Sequence, residues 1–398
     1  MRGGAGALEY HACFTGLPSL LARGKARAMN AGGMRILENV PLAPMTSLRI
    51  GGNARRFVEA EDEAELVAQI LDADARGEPV LVLGGGSNLV VGDEGFDGLV
   101  VRVASRGVHV MREGGRVRLE VAAGEPWDAL VERAVGEGWS GVECLSGIPG
   151  LVGATPIQNV GAYGQEVKET IQAVRVLDRH ARAVAAIDAA GCRFAYRTSA
   201  FKGDADCRFV VVGVTFALER RGDSAPLRYA ELTRALGVKE GDRAPLADVR
   251  RTILALRRAK GMVLDPNDPD SVSAGSFFVN PILDGPALAL LEERLGVRGI
   301  DRGALPRFPG DDGRTKVSAA WLIEKAGFAK GWGEGRVGIS RKHALALVNR
   351  GGATASELLE AARSIQRGVW EAFGVELAPE PVLVARGGSK AEASPGRE

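Results

Sequence analysis

Cysteine and histidine are scarce, at 4 each in 398 residues. Cys13, Cys144, Cys192 and Cys207 form no C-x-x-C pair, so there is no framework for a structural zinc site. Thiols so few and so scattered fit a reducing cytoplasm better than a disulfide scaffold. Excess charge is also missing: 51 Lys and Arg stand against 50 Asp and Glu, a net charge of +1. A balanced chain has no global field for gathering nucleic acid or anionic membrane. Any phosphate-bearing partner must therefore be held at a local site. No apolar run approaches the roughly 20 residues needed to cross a bilayer.

What is present is the mix of a globular protein, with 45% hydrophobic and 25% charged residues. The length predicts two or three domains. Glycine is abundant, at 54 residues, which points to special turns and close backbone approaches. The two ends read as peripheral. Arg2, Arg23, Lys25 and Arg27 flank a weak apolar patch broken by Gly16 and Pro18, without the clean apolar stretch of a signal peptide. Residues 1–33 are expected to be an extension, disordered or upstream of a natural start at Met29 or Met34. Residues 386–398 are expected to be a disordered tail.

Between the ends, helices and strands alternate. Leu66, Val67, Ile70 and Leu71 share one face of a helix over 61–76, which Gly77 and Pro79 end. Val80–Leu83 reads as a buried strand and Leu99–Val103 as a second. Val108–Val110 and Val117–Val121 alternate like a hairpin around Gly114-Gly115. Pro126 suits the first turn of a helix carrying Trp127, Leu130, Val131 and Ala134. Val174–Leu177 and Phe209–Leu218 read as further strands. Helices follow at 246–260 and 318–326. Thr354-x-x-Glu357 forms a capping box for another helix through Phe373, and Val382–Val384 reads as a last strand.

Two glycine-rich runs stand out. The first strand ends in Gly84-Gly85-Gly86-Ser87-Asn88, which puts unhindered backbone N–H groups in a tight turn of the kind that binds phosphate. It lacks the Gly-Lys-Ser/Thr ending of a P-loop and the G-x-G-x-x-G entry to a helix of a Rossmann site. Taken alone it reads equally well as a plain turn. The second run, Gly147 to Gly164, combines small apolar residues with hydroxyl and amide groups. It reads either as a buried irregular loop or as a wall against which a flat ligand lies. Two such loops in one domain favour a dinucleotide.

Together with Thr46-x-x-Arg49-Ile50-Gly51-Gly52, these runs resemble the FAD-binding half of the UDP-N-acetylenolpyruvoylglucosamine reductase family. The resemblance continues through Tyr196-Arg197-Thr198-Ser199-Ala200-Phe201-Lys202 and Ala274-Gly275-Ser276-Phe277-Phe278-Val279-Asn280-Pro281. It ends with Lys316-Val317-Ser318-Ala319-Ala320-Trp321-Leu322-Ile323-Glu324 and Pro379-Glu380, in the family's order over residues 41–384. The Pro156-Ile157-Gln158-Asn159 version is similar to the branch with an extra tyrosine loop. The family commonly has an aromatic residue where this chain has Leu48.

The resemblance implies an α+β fold. A two-part FAD-binding domain of the PCMH (vanillyl-alcohol-oxidase-like) type spans 34–222, and a C-terminal α+β substrate domain spans 223–385, its last strand returning to the FAD domain. It implies noncovalent FAD, with NADPH as hydride donor. FAD-binding residues would be Arg49, Ile50, Gly51, Gly84, Gly85, Gly86, Ser87, Asn88, Ile148, Pro149, Gly150, Gly153, Ala154, Gln158, Asn159, Gly161, Ala162 and Tyr163. The reaction implied is reduction of an enolpyruvyl ether of a UDP-sugar in peptidoglycan precursor synthesis. The partner is thus a small-molecule UDP-sugar, with no nucleic acid, membrane or metal, and the protein a cytoplasmic monomer.

The catalytic residues implied are Ser276 as proton donor, Arg197 as the grip on the substrate carboxylate, and Glu380 beside the developing enolate. Without the family motifs, Ser276 would read as a cap or turn serine, and Arg197 and Glu380 as surface charges. Tyr196, Tyr229, Lys260, Asn280 and His343 match positions around the substrate. Tyr229 would be a lid, with Lys260 at the diphosphate. His343 reads equally as a core-edge histidine. Two alternatives stay open: another FAD-dependent oxidoreductase of this fold acting on an alcohol or sugar, and a noncatalytic nucleotide-sensing or scaffold protein.

Overall fold

The computed structural model describes residues 25–29, 35–202, 207–310 and 313–387. Most of the expected extension and most of the tail therefore lie outside the described residues. The described part of the extension is a strand, β1 (Lys25–Met29), which pairs antiparallel with β2 (Arg35–Pro41). Arg386, expected in the tail, is tied down through its carbonyl, which accepts from Asp97 N at 2.8 Å.

The first sheet runs in the order β1-β2-β3-β6-β4, with β3 (Asn53–Ala60), β4 (Val80–Leu83) and β6 (Phe96–Val103). β3 and β4 both lie parallel to β6. Parallel neighbours need a crossover. Helix α1 (Glu63–Ala75) supplies one, capped by the Asp62 carboxylate accepting from Glu65 N. It buries Leu66, Ile70 and Ala73 against Leu99 and Val101. Between β4 and β6 runs β5 (Leu89–Val91).

The second sheet is antiparallel throughout. It contains β7 (Val108–Glu113), β8 (Arg116–Ala122), β9 (Ile171–Asp178), β10 (Ala183–Asp188) and β11 (Phe209–Arg220), in the order β10-β9-β11-β8-β7. Trp127, Leu130, Val131 and Ala134 of α2 (Trp127–Gly136) pack on it, as the sequence pattern requires. Pro126 stands at the N-cap, one position before the first turn expected for it.

Beyond residue 222 come α3 (Ala230–Leu236) and α4 (Leu246–Ala259). Leu232, Val249 and Ile253 of these helices cluster with Cys144 of the first half, and Arg250 clamps Asp128 of α2 with two hydrogen bonds of 2.6 and 3.0 Å. Packing thus runs unbroken across the boundary expected at 222. A second core gathers α5 (Gly285–Val297), α6 (Ala319–Lys325) and α7 (Ala355–Phe373) with short strands; the exposed β12 (Arg307–Pro309) only pairs with β13 (Thr315–Val317), while β13, β14 (Val337–Ile339) and β15 (Leu347–Asn349) add buried residues. Thr354 and Glu357 form the expected capping box on α7. Leu48, fully buried, packs in this core.

The final strand, β16 (Val382–Val384), leaves that core and lies parallel to β5. No helix among the described residues is long and apolar enough to cross a membrane.

Candidate active site

β4 delivers the chain into Gly84–Asn88. The backbone N–H groups of Gly85, Gly86, Ser87 and Asn88 meet no acceptor among the described residues. Four adjacent unpaired donors make a concavity for an anion. Glycine is required here by space. A Cβ on Gly85 would stand 2.8 Å from the Gly150 Cα, and one on Gly86 (φ +61°) would stand 2.0 Å from the Met45 carbonyl oxygen. The two glycine runs therefore touch backbone to backbone, joined further by Ser87 Oγ donating to the Pro149 carbonyl at 3.3 Å and Asn88 Nδ2 donating to Gln158 Oε1 at 3.1 Å. The second run is fixed from behind: Trp127 N donates to Gly150 O, Val152 N to Glu125 O and Gly153 N to Ala123 O, at 2.9–3.0 Å.

These loops wall a cavity of about 460 Å³. Its lining includes Gly84, Gly85, Gly86, Ser87, Asn88, Ile148, Pro149, Gly150, Ala154, Gln158, Gly161, Ala162 and Tyr163, all expected at the cofactor. The row of free donors suits a pyrophosphate, and a glycine-rich wall suits a flat ring, so the residues present fit FAD. The other expected cofactor residues stand back from this wall. Arg49 lines an adjoining recess with Thr46 and Ser47. Ile50 is buried in the core, Gly51 abuts Val91, and Gly153 abuts Ala123. Asn159 is buried, its amide donating to Glu166 and to the Ala195 carbonyl while its oxygen accepts from Lys168 N. They hold the loops from the rear. Those packing contacts leave little trace in a linear pattern.

Arg197 enters the cavity from a tight turn in which Ala195 and Thr198 exchange backbone hydrogen bonds. Its φ of +54° is a left-handed conformation that only a well-braced non-glycine residue keeps. The bracing is local: Lys202 Nζ donates to the Arg197 carbonyl at 2.8 Å, and Ser199 Oγ donates to the Ile157 carbonyl of the glycine run at 2.6 Å. Arg197 Nε lies 3.4 Å from Glu380 Oε1.

Ser276 follows Gly275 (φ +76°) and precedes the buried pair Phe277 and Phe278, whose rings meet edge-on at 5.2 Å. That pair sets Ser276 at the cavity wall. Glu380 is bound to the same motif, its N–H donating to the Phe277 carbonyl at 2.8 Å, while its own carbonyl accepts from Asn88 Nδ2 at 3.3 Å. The cavity thus gathers Ser276, Arg197 and Glu380 with both glycine runs, from five separate stretches of chain.

Tyr229, Lys260 and His343 line the cavity as well. Tyr229 stands edge-on to Tyr163 at 5.3 Å and is 41% exposed, as a lid residue would be. Lys260 Nζ holds Glu231 Oε2 at 2.6 Å and lies 5.7 Å from the centre of the Tyr163 ring. Burial is the main force pushing the Tyr163 hydroxyl up to about 12. His343 is half-buried; burial first, then Lys260, Lys330 and Arg257, bring its imidazole down to about 4. Its Nδ1 accepts from Leu345 N at 3.0 Å.

Tyr196 and Asn280 are not in the wall. Asn280 Oδ1 accepts from Ala319 N at the start of α6, and Tyr196 lies under Lys316, 4.3 Å from ring centre to Nζ. Sequence reasoning passed over three cavity or near-cavity charges, Lys202, Glu231 and Arg257. A signal existed for the last, since Arg257 shares a helical face with Lys260 three residues on.

Comparison with known proteins follows the same outline. Residues 267–384 match the model described as UDP-N-acetylenolpyruvoylglucosamine reductase, C-terminal domain, and residues 54–186 match that described as FAD binding domain. The chain is 55% identical over 347 residues to the UDP-N-acetylenolpyruvoylglucosamine reductase of Thermobifida fusca (strain YX), covering 87% of this chain and 97% of that protein. It is 54% identical over 349 residues to the protein of that name from Streptomyces coelicolor, covering 87% of this chain and 90% of the other. The crystal structure of UDP-N-acetylenolpyruvylglucosamine reductase from Thermus caldophilus superposes with a TM-score of 0.58 at 27% identity, covering 88% of this chain and 99% of that one.

Proposed function

The chain belongs to the UDP-N-acetylenolpyruvoylglucosamine reductase family, and from that premise we propose which of its residues carry the reaction. The enzyme uses NADPH and FAD to reduce UDP-N-acetylenolpyruvoylglucosamine to UDP-N-acetylmuramate, a step of peptidoglycan precursor synthesis. Its fold is α+β, a PCMH-type FAD-binding domain followed by the family's C-terminal domain. FAD, when bound, supplies the hydride chemistry that no side chain can perform.

Reduction of the enolpyruvyl double bond leaves negative charge on the carbon beside the carboxylate, shared as an enolate. The protein has to hold the acid, offset that charge and deliver one proton. Arg197 grips the carboxylate, its planar fork matching two oxygens. Ser276 gives its hydroxyl proton to the carbon. A serine hydroxyl is a weak acid, so it acts only toward a strongly basic carbon and with a relay that restores its proton. That proton returns from solvent, and Glu380, facing the enolate, helps to route it. The contact of Glu380 with Arg197 offsets the repulsion that a bare carboxylate would exert on an enolate. Lys260 and Tyr229 hold the diphosphate, and His343, neutral at pH 7, offers a hydrogen bond rather than a charge there. Residues 34–222 hold FAD noncovalently, and residues 223–385 close the substrate side. The sparse thiols suit a reducing cytoplasm.

The observation that supports this reading is the shared cavity of Ser276, Arg197, Glu380 and both glycine runs. Rapid mixing of Ser276→Ala tests it. Bleaching of the yellow protein by NADPH should stay within about twofold of wild type. Return of colour on anaerobic addition of the enolpyruvyl substrate should slow by about 100-fold, the scale of a general-acid contribution. Equal survival of both half-reactions would remove Ser276 as the donor.

A further inference from the structure

The cavity holds one cation for which the reading above has no use. Arg257 lies on α4, two turns beyond the Arg250 clamp on Asp128, and its side chain reaches the cavity wall. The guanidinium lies over Gly147. A Cβ there would stand 3.4 Å from Arg257 Nε and 2.8 Å from Leu254 Cδ2, so the glycine makes room for it. Arg257 Nη2 donates to the Met262 carbonyl at 2.8 Å, which fixes the orientation of the fork.

Its neighbours all have anions. Arg197 faces Glu380, Lys260 holds Glu231 and Arg250 holds Asp128. Arg257 has no carboxylate partner among the described residues, and its Nε is sealed from solvent without an acceptor. Burial is the largest influence and works against its charge; Tyr163 and the Asp128 carboxylate favour the charge from a distance, and Arg197 opposes it. An arginine cannot relieve this by losing its proton. An unpaired, partly sealed cation is costly to keep. A fold that keeps one on the wall of a ligand cavity gains from it when an anion arrives.

We infer that Arg257 is an additional substrate-anchoring residue, its guanidinium taking an anionic oxygen of the UDP-sugar, from the diphosphate or from the enolpyruvyl carboxylate. The inference rests on the reading of this cavity as the substrate site. FAD is the less fitting source of that anion. Arg257 lies outside the 54–186 stretch that matches FAD-binding domains, on the helix that ends at Lys260. It is also close enough to Arg197 and His343 to shift the electrostatics of each group's neighbourhood.

Titration of FAD-loaded protein without NADPH, read by the flavin spectrum and by calorimetry, tests the assignment. The ligands are UDP-N-acetylenolpyruvoylglucosamine and UDP-N-acetylglucosamine, which has the diphosphate and lacks the carboxylate. Arg257→Gln should weaken the first by about tenfold or more, the size of one lost charge-assisted hydrogen bond. Arg257→Lys should recover part of the loss. Flavin content should match wild type in both. Equal weakening of the two ligands marks the diphosphate as the partner, and weakening of the first alone marks the carboxylate; either supports the inference. Binding within twofold of wild type for both ligands overturns it, as does loss of flavin in proportion to loss of binding. Should Arg257→Gln fail to fold, Arg257→Lys decides alone, and unchanged affinity there overturns it. Wild-type protein that binds neither ligand overturns the function proposed for the cavity itself.

Discussion

At the scale of single residues, the useful distinction is between side chains whose chemistry is visible in a linear sequence and those whose chemistry is made by neighbours. Ser276, Arg197 and Glu380 were identifiable only through their motifs. Nothing local reveals that residues 197 and 380 meet, since the Arg197–Glu380 contact spans 183 positions of chain. Asn159 and Asn280 each sit in a site-like motif, and the amide of each also fastens backbone. His343 gives a pH prediction. Its folded-state value of about 4 lies below the ordinary 6.5 of an unfolded histidine. At pH 7 both states are neutral. Between about 6.5 and about 4 the unfolded chain takes up a proton that the folded chain refuses, so stability falls with pH across that window. Urea midpoints measured from pH 7 to pH 4 should therefore fall more steeply for wild type than for His343→Gln. Parallel curves would show that the imidazole charges freely in the folded state.

Elements were more legible than residues. Helical periodicity marked α1, α2 and α4, and a capping box marked α7; each buries one apolar stripe against a sheet or core. Beyond the β7–β8 hairpin, strand pairing partners were not legible, since parallel registry such as β3 with β6 depends on which crossover packs best. The glycine loops lay between these extremes. Their composition announced close approach, but only the fold shows that the two approach each other. Gly85→Ala would drive a methyl group into the Gly150 backbone, 2.8 Å away, and part the loops. We expect a folded protein whose FAD affinity falls by about tenfold or more. The flavin-to-protein absorbance ratio after gel filtration measures it, and a normal ratio would show that the loops can separate without loss of the site.

For the whole molecule, the question is what ties the N-terminal and C-terminal halves of the chain together around one cavity. Two polar contacts stand out. Asn349 Nδ2 donates to the Leu48 carbonyl at 2.9 Å, and Asp93 accepts from Ala355 N, Ser356 N and Ser356 Oγ at 2.6–3.0 Å at the first turn of α7. Burial raises the Asp93 carboxyl, but the hydrogen bonds from Ser356 and Ala355 outweigh it, so its pKa is lowered overall. The sign follows: the contact stabilises the fold above the ordinary carboxylate range and is lost as pH falls through the lowered value. Asp93 is exposed and screened, so Asp93→Asn should cost only about 0.5–1 kcal/mol at pH 7, the low end for a helix cap. The difference from wild type should shrink below about pH 4. A deficit that persists unchanged at pH 3 would mean that the charge contributes nothing.

β16 has a consequence for the order in which a newly made molecule becomes competent. Both glycine loops leave the ribosome long before Glu380, which arrives together with the strand that docks beside β5. A chain stalled short of that point can assemble the nucleotide wall and still lack its carboxylate. Activity thus waits on translation of nearly everything described here, and a prematurely terminated product is silent rather than half-functional.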